Sequence, residues 1–98
     1  MTKADIVNKI SKKTGIDKNT TLEFVESFMK IVKNSLIEGE NVYLRGFGSF
    51  VLKERAKKIA RNISINKSMI IEAHNIPAFK PSKIFLGRVK KENPILNK

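Results

Sequence analysis

The chain has 98 residues, enough for one small domain, and a formal net charge of +11 from 20 Lys and Arg against 9 Asp and Glu. The absence of cysteine excludes disulfides and thiolate metal sites. A single histidine without clustered carboxylates argues against an enzyme, a cofactor or a small-molecule substrate. No apolar run approaches the roughly 20 residues of a membrane span or forms a signal peptide, so we expect a cytoplasmic protein that does not bind membranes.

The positive charge is concentrated in the second half of the chain. Residues 1–50 hold eight cations and six anions, whereas residues 51–98 hold twelve cations and three anions. This asymmetry predicts a first half that serves as an ordinary folding module and a second half that carries the working surface.

Two helices are predicted in the first half. Thr2 with Asp5 forms a capping pair that opens the first helix, and Gly15 is a natural end. Asp17 caps a longer second helix that reaches about Glu38. The second helix carries an apolar stripe too broad for one short helix to cover: Leu22, Phe24, Val25, Phe28, Met29, Ile31, Val32, Leu36 and Ile37.

Strand character follows in the middle of the chain. Residues 41–45 predict a short strand, residues 46–48 a tight glycine turn, and Ser49 begins a long strand. Residues 69–76 form the returning strand of a two-stranded arm over about residues 51–75.

A third helix and a short tail complete the chain. Pro77 and Pro81 mark the exit from the returning strand, and Ser82 caps a helix that runs to about Lys90. Three helices and a small antiparallel sheet that extends into the arm make the fold class α+β. We expect one domain over residues 1–91 and a flexible C-terminal tail over residues 92–98.

The outgoing strand of the arm carries a cation on almost every second residue. Because side chains in a strand alternate sides, one face presents Val51, Lys53, Arg55, Lys57, Ile59, Arg61 and Ile63. From Lys53 to Arg61 this face runs about 26 Å, at roughly 3.3 Å per residue. The expected partner is a long anionic surface, and duplex DNA is the first candidate. The alternative is that these charges only keep an exposed hairpin soluble.

Several phenylalanines lack partners within a chain of this size. Together with the broad stripe of the second helix, Phe47, Phe50, Phe79 and Phe85 predict a two-fold dimer that interlocks these rings with the second helix. A self-sufficient monomer is the alternative. The spacing of Phe47, Phe50 and Phe79 fits core or interface packing better than stacking on single-stranded nucleic acid.

Four motifs resemble those of one known family. At the spacing found in the bacterial histone-like HU and integration host factor family, the chain carries Gly46-Phe47-Gly48-Ser49-Phe50, Glu54-Arg55-Ala56, Arg61-Asn62 and Ile76-Pro77-Ala78-Phe79-Lys80-Pro81. The similarity runs without a gap from Met1 to about Lys91. The glycine–phenylalanine turn and the Pro-Ala-Phe-Lys-Pro run, separated by a basic hairpin, make it specific.

The resemblance implies an intertwined dimer whose two arms embrace the minor groove of double-stranded DNA. It implies a nucleoid-associated, architectural role in bending and condensing DNA, with low sequence specificity and a preference for bent, nicked or kinkable sites. The partner subunit is either an identical chain or a paralogue.

The resemblance also places the DNA contacts. The residue that wedges between base pairs falls on Ile63, where the family usually has proline, and Leu86 stands where the family is often basic. The arm contacts are Lys53, Arg55, Lys57, Lys58, Arg61 and Asn62. On the body, phosphate is expected at Lys80, Ser82 and Lys83, because a helix N-terminus attracts anions. Arg45 either is structural or touches DNA.

Two other functions remain open on composition alone. A basic protein of this size also fits an RNA-binding or ribosome-associated role. A structural adaptor would use its long edge strands to recruit a protein partner. His74 has no ligand partner in the sequence and is assigned to a solvated strand position.

Overall fold

The secondary structure follows the predicted order of helices and strands. The computed structural model describes residues 1–62 and 67–96, with only the backbone described for residues 60–62 and 67–68. Within these ranges no helix is both long and apolar enough to cross a membrane. The α+β class is confirmed by the elements, which are α1 Lys3–Thr14, α2 Lys18–Ile37, β1 Val42–Leu44, β2 Gly48–Arg55, β3 Lys58–Asn62, β4 Lys67–Ile71, β5 His74–Pro81 and α3 Lys83–Glu92.

Local sequence signals set the ends of the first two helices. The Thr2 hydroxyl accepts a hydrogen bond from the Asp5 N–H at 3.3 Å, and the Asp5 carboxylate accepts one from the Thr2 N–H at 2.8 Å. Gly15 ends α1 with a left-handed φ of 78°. Asp17 caps α2 by accepting a hydrogen bond from the Thr20 N–H at 3.0 Å. Each of these predicted caps is confirmed.

Little apolar surface is buried within one chain. α1 packs against α2, and among the described residues the buried hydrophobic side chains are Val7, Val32 and Leu36. Several apolar side chains of α2 stay between 45% and 81% exposed: Phe24, Phe28, Met29, Ile31 and Ile37. The prediction that α2 carries more apolar surface than one chain can cover is confirmed, and so large an open patch is unusual for a monomer.

Three antiparallel strands form the sheet in the order β1-β2-β5. Gly46, in the turn between β1 and β2, has a φ of 81° that favours glycine. Gly48 is needed for a different reason. A Cβ at Gly48 would lie 2.5 Å from the Lys80 carbonyl oxygen and 2.7 Å from the Phe79 ring.

The returning strand, β5, continues through Pro77 and ends at Pro81, so the prediction that the exit begins at Pro77 is wrong. Leu52, which pairs with Pro77, directs its N–H away from β5, to the Asn41 side-chain oxygen at 3.1 Å. The pair is therefore a non-hydrogen-bonded one. The Pro77 nitrogen faces the outer edge of the sheet, and no ladder bond is lost.

The arm consists of two ladders rather than one continuous hairpin. β2 pairs with β5 as far as Arg55 opposite His74. Residues 56–57 and 72–73 leave the ladder. Beyond them β3 pairs with β4 in the same register as β2 with β5. We call residues 56–57 and 72–73 the arm joint. The prediction of one unbroken strand on each side is wrong there, because Ala, Lys and Glu, which occupy the joint, are weak strand formers.

The sheet presents one face to the helices and the other away from them. Leu52 and Pro77 line a cavity of about 580 Å³ together with Leu36 and Ile37 of α2. Since neighbouring residues in a strand point to opposite sides, the alternate residues form an outer face, on the side of the sheet away from Leu36 and Ile37.

Candidate nucleic-acid interface

Cations gather on the outer face of the sheet. Alternate β2 residues point to this side, and each stands opposite a β5 residue: Ser49 and Lys80, Val51 and Ala78, Lys53 and Ile76, Arg55 and His74. Directly opposite partners in an antiparallel pair share a face. The outer face therefore carries Lys53, Arg55, Lys80 and the single histidine, all of them exposed.

The body residues selected from the sequence come together in a shallow depression of about 480 Å³. The depression lies beside the glycine turn, and its lining includes Arg45, Lys80, Ser82 and Lys83. The N–H groups in the first turn of α3 lack intrahelical partners, so this end of the helix carries partial positive charge. Three exposed cations and a helix N-terminus thus converge on one surface.

Ser82 uses its hydroxyl within the protein. It donates a hydrogen bond to the Gly46 carbonyl at 3.0 Å and accepts one from the Phe85 N–H at 3.2 Å. Its backbone N–H donates to the Phe47 carbonyl at 2.9 Å. The predicted cap of α3 is confirmed, and the same side chain ties this helix to the glycine turn.

At the arm joint the cations depart from the predicted alternation. Arg55, Lys57, Lys58 and His74 line one concavity of about 690 Å³, although Lys57 and Lys58 are neighbours in the sequence. Strand alternation does not hold across the joint, because its residues leave the ladder. The single face predicted along the outgoing strand is therefore interrupted, and Lys58 joins the cations of the outer face at this point.

The far end of the arm is described only in part. The backbone places Arg61 opposite Ser68 and Asn62 opposite Lys67 in the β3–β4 ladder. The side chains of Arg61 and Asn62, and the whole of Ile63, lie outside the described residues. The base-edge contacts and the wedge therefore stay predictions.

Few carboxylates offset the charge of this surface. Among the described residues the salt bridges are Lys3–Glu26 at 3.4 Å and Arg88–Glu92 at 2.7 Å, and neither involves the outer face or the arm joint. The hydrogen bond that Arg88 donates to Glu92 raises the pKa of the guanidinium. Glu54, the one carboxylate of β2, lies on the opposite face from Lys53. A surface with so little compensation attracts a polyanion.

The phenylalanines form a cluster that is incomplete within one chain. Ring centroids lie 5.0 Å apart for Phe47 and Phe79, 5.1 Å for Phe50 and Phe79, and 5.7 Å for Phe47 and Phe85. These are the distances of packed aromatic pairs. Even so, 46% of Phe47 and 40% of Phe79 remain exposed.

The pairing of β2 with β5 also places His74 on the outer face. From the sequence, this residue was predicted only to be a solvated strand position. His74 stands opposite Arg55, and its Nδ1 lies 2.8 Å from the Glu72 carbonyl oxygen. Its place on the cationic face follows from the pairing of β5 with β2, which no local sequence signal marks.

Comparison with known proteins identifies the family. Residues 1–90 match the family model described as bacterial DNA-binding protein. The chain belongs to this family. It is 36% identical over 90 residues to DNA-binding protein HU of Staphylococcus aureus (strain COL), an alignment that covers 92% of this chain and 100% of that protein. It is 33% identical over 84 residues to integration host factor subunit alpha of Anaeromyxobacter sp. (strain Fw109-5), covering 86% of this chain and 85% of that protein.

Solved structures of the family share the fold. Anabaena HU, in a cocrystal structure with DNA, matches with a TM-score of 0.84 and 29% identity over 97% of this chain and 100% of that one. HU of Thermotoga maritima matches with a TM-score of 0.64 and 24% identity over 92% of this chain and 100% of that one, which supports the fold alone. The resemblance to the HU and integration host factor family is confirmed, and this is a family of DNA-binding proteins, not of enzymes.

Proposed function

We propose that this chain is an architectural, nucleoid-associated protein of the bacterial cytoplasm that binds double-stranded DNA and bends it. The observation that carries the proposal is the cationic outer face, which continues into the arm joint in a fold shared with an HU crystallised with DNA. Duplex DNA presents one negative charge per about 1.7 Å of its axis, so a long exposed row of cations matches it.

The phosphate contacts are assigned to two surfaces. The arm contributes Lys53, Arg55, Lys57 and Lys58, and the depression beside α3 contributes Arg45, Lys80 and Lys83. Because phosphate contacts carry no direct sequence information, affinity depends on counterion release rather than on base readout. Contact in the minor groove, the mode of the family, separates A·T from G·C and little else. Low sequence specificity follows.

The functional unit is a dimer in this proposal. The open stripe of α2 and the incomplete phenylalanine cluster are two apolar surfaces that one chain leaves exposed. The chain is also extended, with a radius of gyration of 19.2 Å, against about 13 Å for a compact domain of this length. A second copy, or a paralogue, that interlocks with both surfaces would supply the missing core. Two arms then reach the same duplex.

The bend comes from the arm tips. An apolar side chain inserted between base pairs partly unstacks them, at a cost of a few kcal/mol per step that wrapping of the duplex on the body offsets. We assign this wedge to Ile63, on its position in the family and its apolar character. In a duplex labelled with fluorophores at both ends, Ile63→Asp should abolish the shortening of the end-to-end distance while a salt-sensitive complex persists. Ile63→Leu serves as the matched control and should preserve bending.

The experiment that tests the function combines binding, bending and mass. The purified chain is titrated against straight, nicked and A·T-rich duplexes and against structured RNA, over a series of salt concentrations. We expect tightest binding to the nicked duplex, a steep fall with salt, a shortened end-to-end distance and the mass of a dimer. Lys12→Ala, on α1 and away from the outer face, is the matched charge control. Preference for RNA, or an undistorted duplex in the complex, would contradict the proposal.

A further inference from the structure

We propose that the arm joint holds a phosphate-binding site in which His74 acts together with Arg55, Lys57 and Lys58, and that DNA binding there takes up a proton on His74. The inference rests on the proposed function, since the ligand is a backbone phosphate of the bound duplex.

The ladder fixes the place of His74. It is the first residue of β5 and stands directly opposite Arg55, the last residue of β2, so both side chains belong to the outer face. At the joint these two side chains, together with Lys57 and Lys58, line the concavity of about 690 Å³, whose apolar part comes from Ile71 and Ile76. All four nitrogen-bearing side chains are exposed. A phosphate entering this concavity would meet donors from both strands of the arm.

One hydrogen bond defines the proton positions on the imidazole. The His74 Nδ1 lies 2.8 Å from the Glu72 carbonyl oxygen. A carbonyl oxygen can only accept, so Nδ1 carries the hydrogen and the neutral ring leaves a lone pair on Nε2. Among the described residues Nε2 has no hydrogen-bond partner. A neutral Nε2 cannot donate to a phosphate oxygen, whereas a protonated one both donates and adds a positive charge.

The charged groups around His74 link protonation of its ring to binding of the phosphate. Arg55 faces it from β2, Lys57 from the joint and Lys58 from β3, while Glu54 lies on the opposite face of β2. Glu72 contributes its carbonyl, and its own side chain is exposed. A phosphate in the concavity would bring negative charge beside the ring and accept a hydrogen bond from Nε2 only when the ring is protonated. Binding of DNA and binding of the proton therefore favour each other.

This coupling gives a quantitative expectation. Where binding takes up one proton per arm, the affinity per arm rises by at most about tenfold for each unit that the pH falls, across the range in which histidine titrates. DNA phosphates and the lysine and arginine side chains keep their charge across this range, so the part of the pH dependence that His74→Gln removes reports on the histidine.

The test uses the full chain and a nicked A·T-rich duplex at constant salt, from about pH 5.5 to about pH 8. His74→Gln should lose about tenfold in affinity at the acid end and little at the alkaline end, because its amide does not titrate. His74→Lys should bind tightly with little dependence on pH. Because the chain has a single histidine, its ring proton resonance is directly assignable, and its titration midpoint should move to higher pH when the duplex is added.

A control variant separates this site from histidine in general. Asn75→His, made in the His74→Gln background, places the imidazole on the opposite face of β5 and should not restore the pH dependence. Equal pH dependence of the parent chain and His74→Gln, with salt-sensitive duplex binding intact, would overturn this inference and leave the proposed function standing. Absence of duplex binding at every pH would overturn both.

Discussion

Among the five glycines, Gly48 is the one at which an added Cβ has no room. A methyl group there would meet the Lys80 carbonyl oxygen at 2.5 Å and the Phe79 ring at 2.7 Å, and the first of these belongs to the backbone of a paired strand. We expect Gly48→Ala to lower the free energy of unfolding by about 2 kcal/mol, because strand and ring must both shift. Thermal or denaturant unfolding measures this directly.

Gly87 provides the matched glycine control. It lies inside α3, and a Cβ added there meets no atom of the chain within 4 Å. Gly87→Ala should raise the free energy of unfolding by up to about 1 kcal/mol, as expected for glycine replaced within a helix. Equal effects of the two substitutions would mean that the close approach at Gly48 does not exist in solution.

Asp17 makes stability depend on pH at the start of α2. The hydrogen bond from the Thr20 backbone N–H lowers the pKa of its carboxyl from the ordinary value of 3.8. A lowered folded-state pKa contributes stability that is present above the ordinary value and is lost as the pH falls through the folded one. Asp17→Asn keeps a capping acceptor that does not titrate. We therefore expect its unfolding midpoint to fall less steeply below about pH 4 than that of the parent chain.

The comparison for Asp17 is a carboxylate on the same helix. Glu23 makes no hydrogen bond to any described residue. Glu23→Gln, which leaves the Asp17 cap intact, is the control and is measured by unfolding in the same buffers. An Asp17→Asn variant that follows the parent curve throughout would show that this cap does not couple to pH.

At the scale of elements, the sequence predicted what local signals decide. The caps at Thr2, Asp17 and Ser82 need only residues a few positions apart, and all three form as expected. The passage of β5 through Pro77 depends instead on which residue stands opposite it. Pairing register is a long-range property, so alternation along one strand could not reveal this feature.

The candidate site likewise has one part that the sequence predicted and another part that only the folded structure shows. The cations at Lys53 and Arg55 were visible as a pattern along one strand, whereas the gathering of Arg45 with Lys80 and Lys83 requires the folded turn. The place of His74 on the cationic face was missed because it follows from the partner of His74 across the ladder, Arg55. No signal within a few residues of it could have shown this.

The arm cations should act through phosphates. Lys53→Ala and Arg55→Ala should each weaken duplex binding to a similar extent on all sequences and reduce the slope of log affinity against log salt by about one. The measurement is a salt series on duplexes of unrelated sequence. Lys12→Ala, on α1, is expected to leave the slope unchanged. Losses confined to one sequence would point to base readout instead.

At the scale of the whole molecule, the feature with the largest consequence is the apolar surface that one chain leaves exposed. Phe28 on α2 is 47% exposed within one chain and belongs to the stripe that the proposed dimer covers. Phe28→Asp should shift the assembly toward monomer and lower the unfolding midpoint, because a charge in a buried interface is left without a partner. Light scattering over a range of concentrations gives the mass.

Ile95 provides the comparison for Phe28. It lies beyond α3 and is 91% exposed, so Ile95→Asp adds the same charge where no interface is proposed. We expect its mass and its unfolding midpoint to equal those of the parent chain. A parent chain that is monomeric at every concentration would remove the basis for two cooperating arms.

The two prolines of β5 also affect whether another strand can pair with the open edge of the sheet. Alternate residues of β5 direct their backbone to the open margin of the sheet, and two of those positions, Pro77 and Pro81, have no N–H to offer. A strand that paired along this margin would find that half of the outward-facing positions of β5 lack an N–H donor. This margin is therefore a poor template for joining copies of the chain edge to edge into fibrils. The same gap in the donor row argues against recruitment of a protein partner by strand addition at this margin.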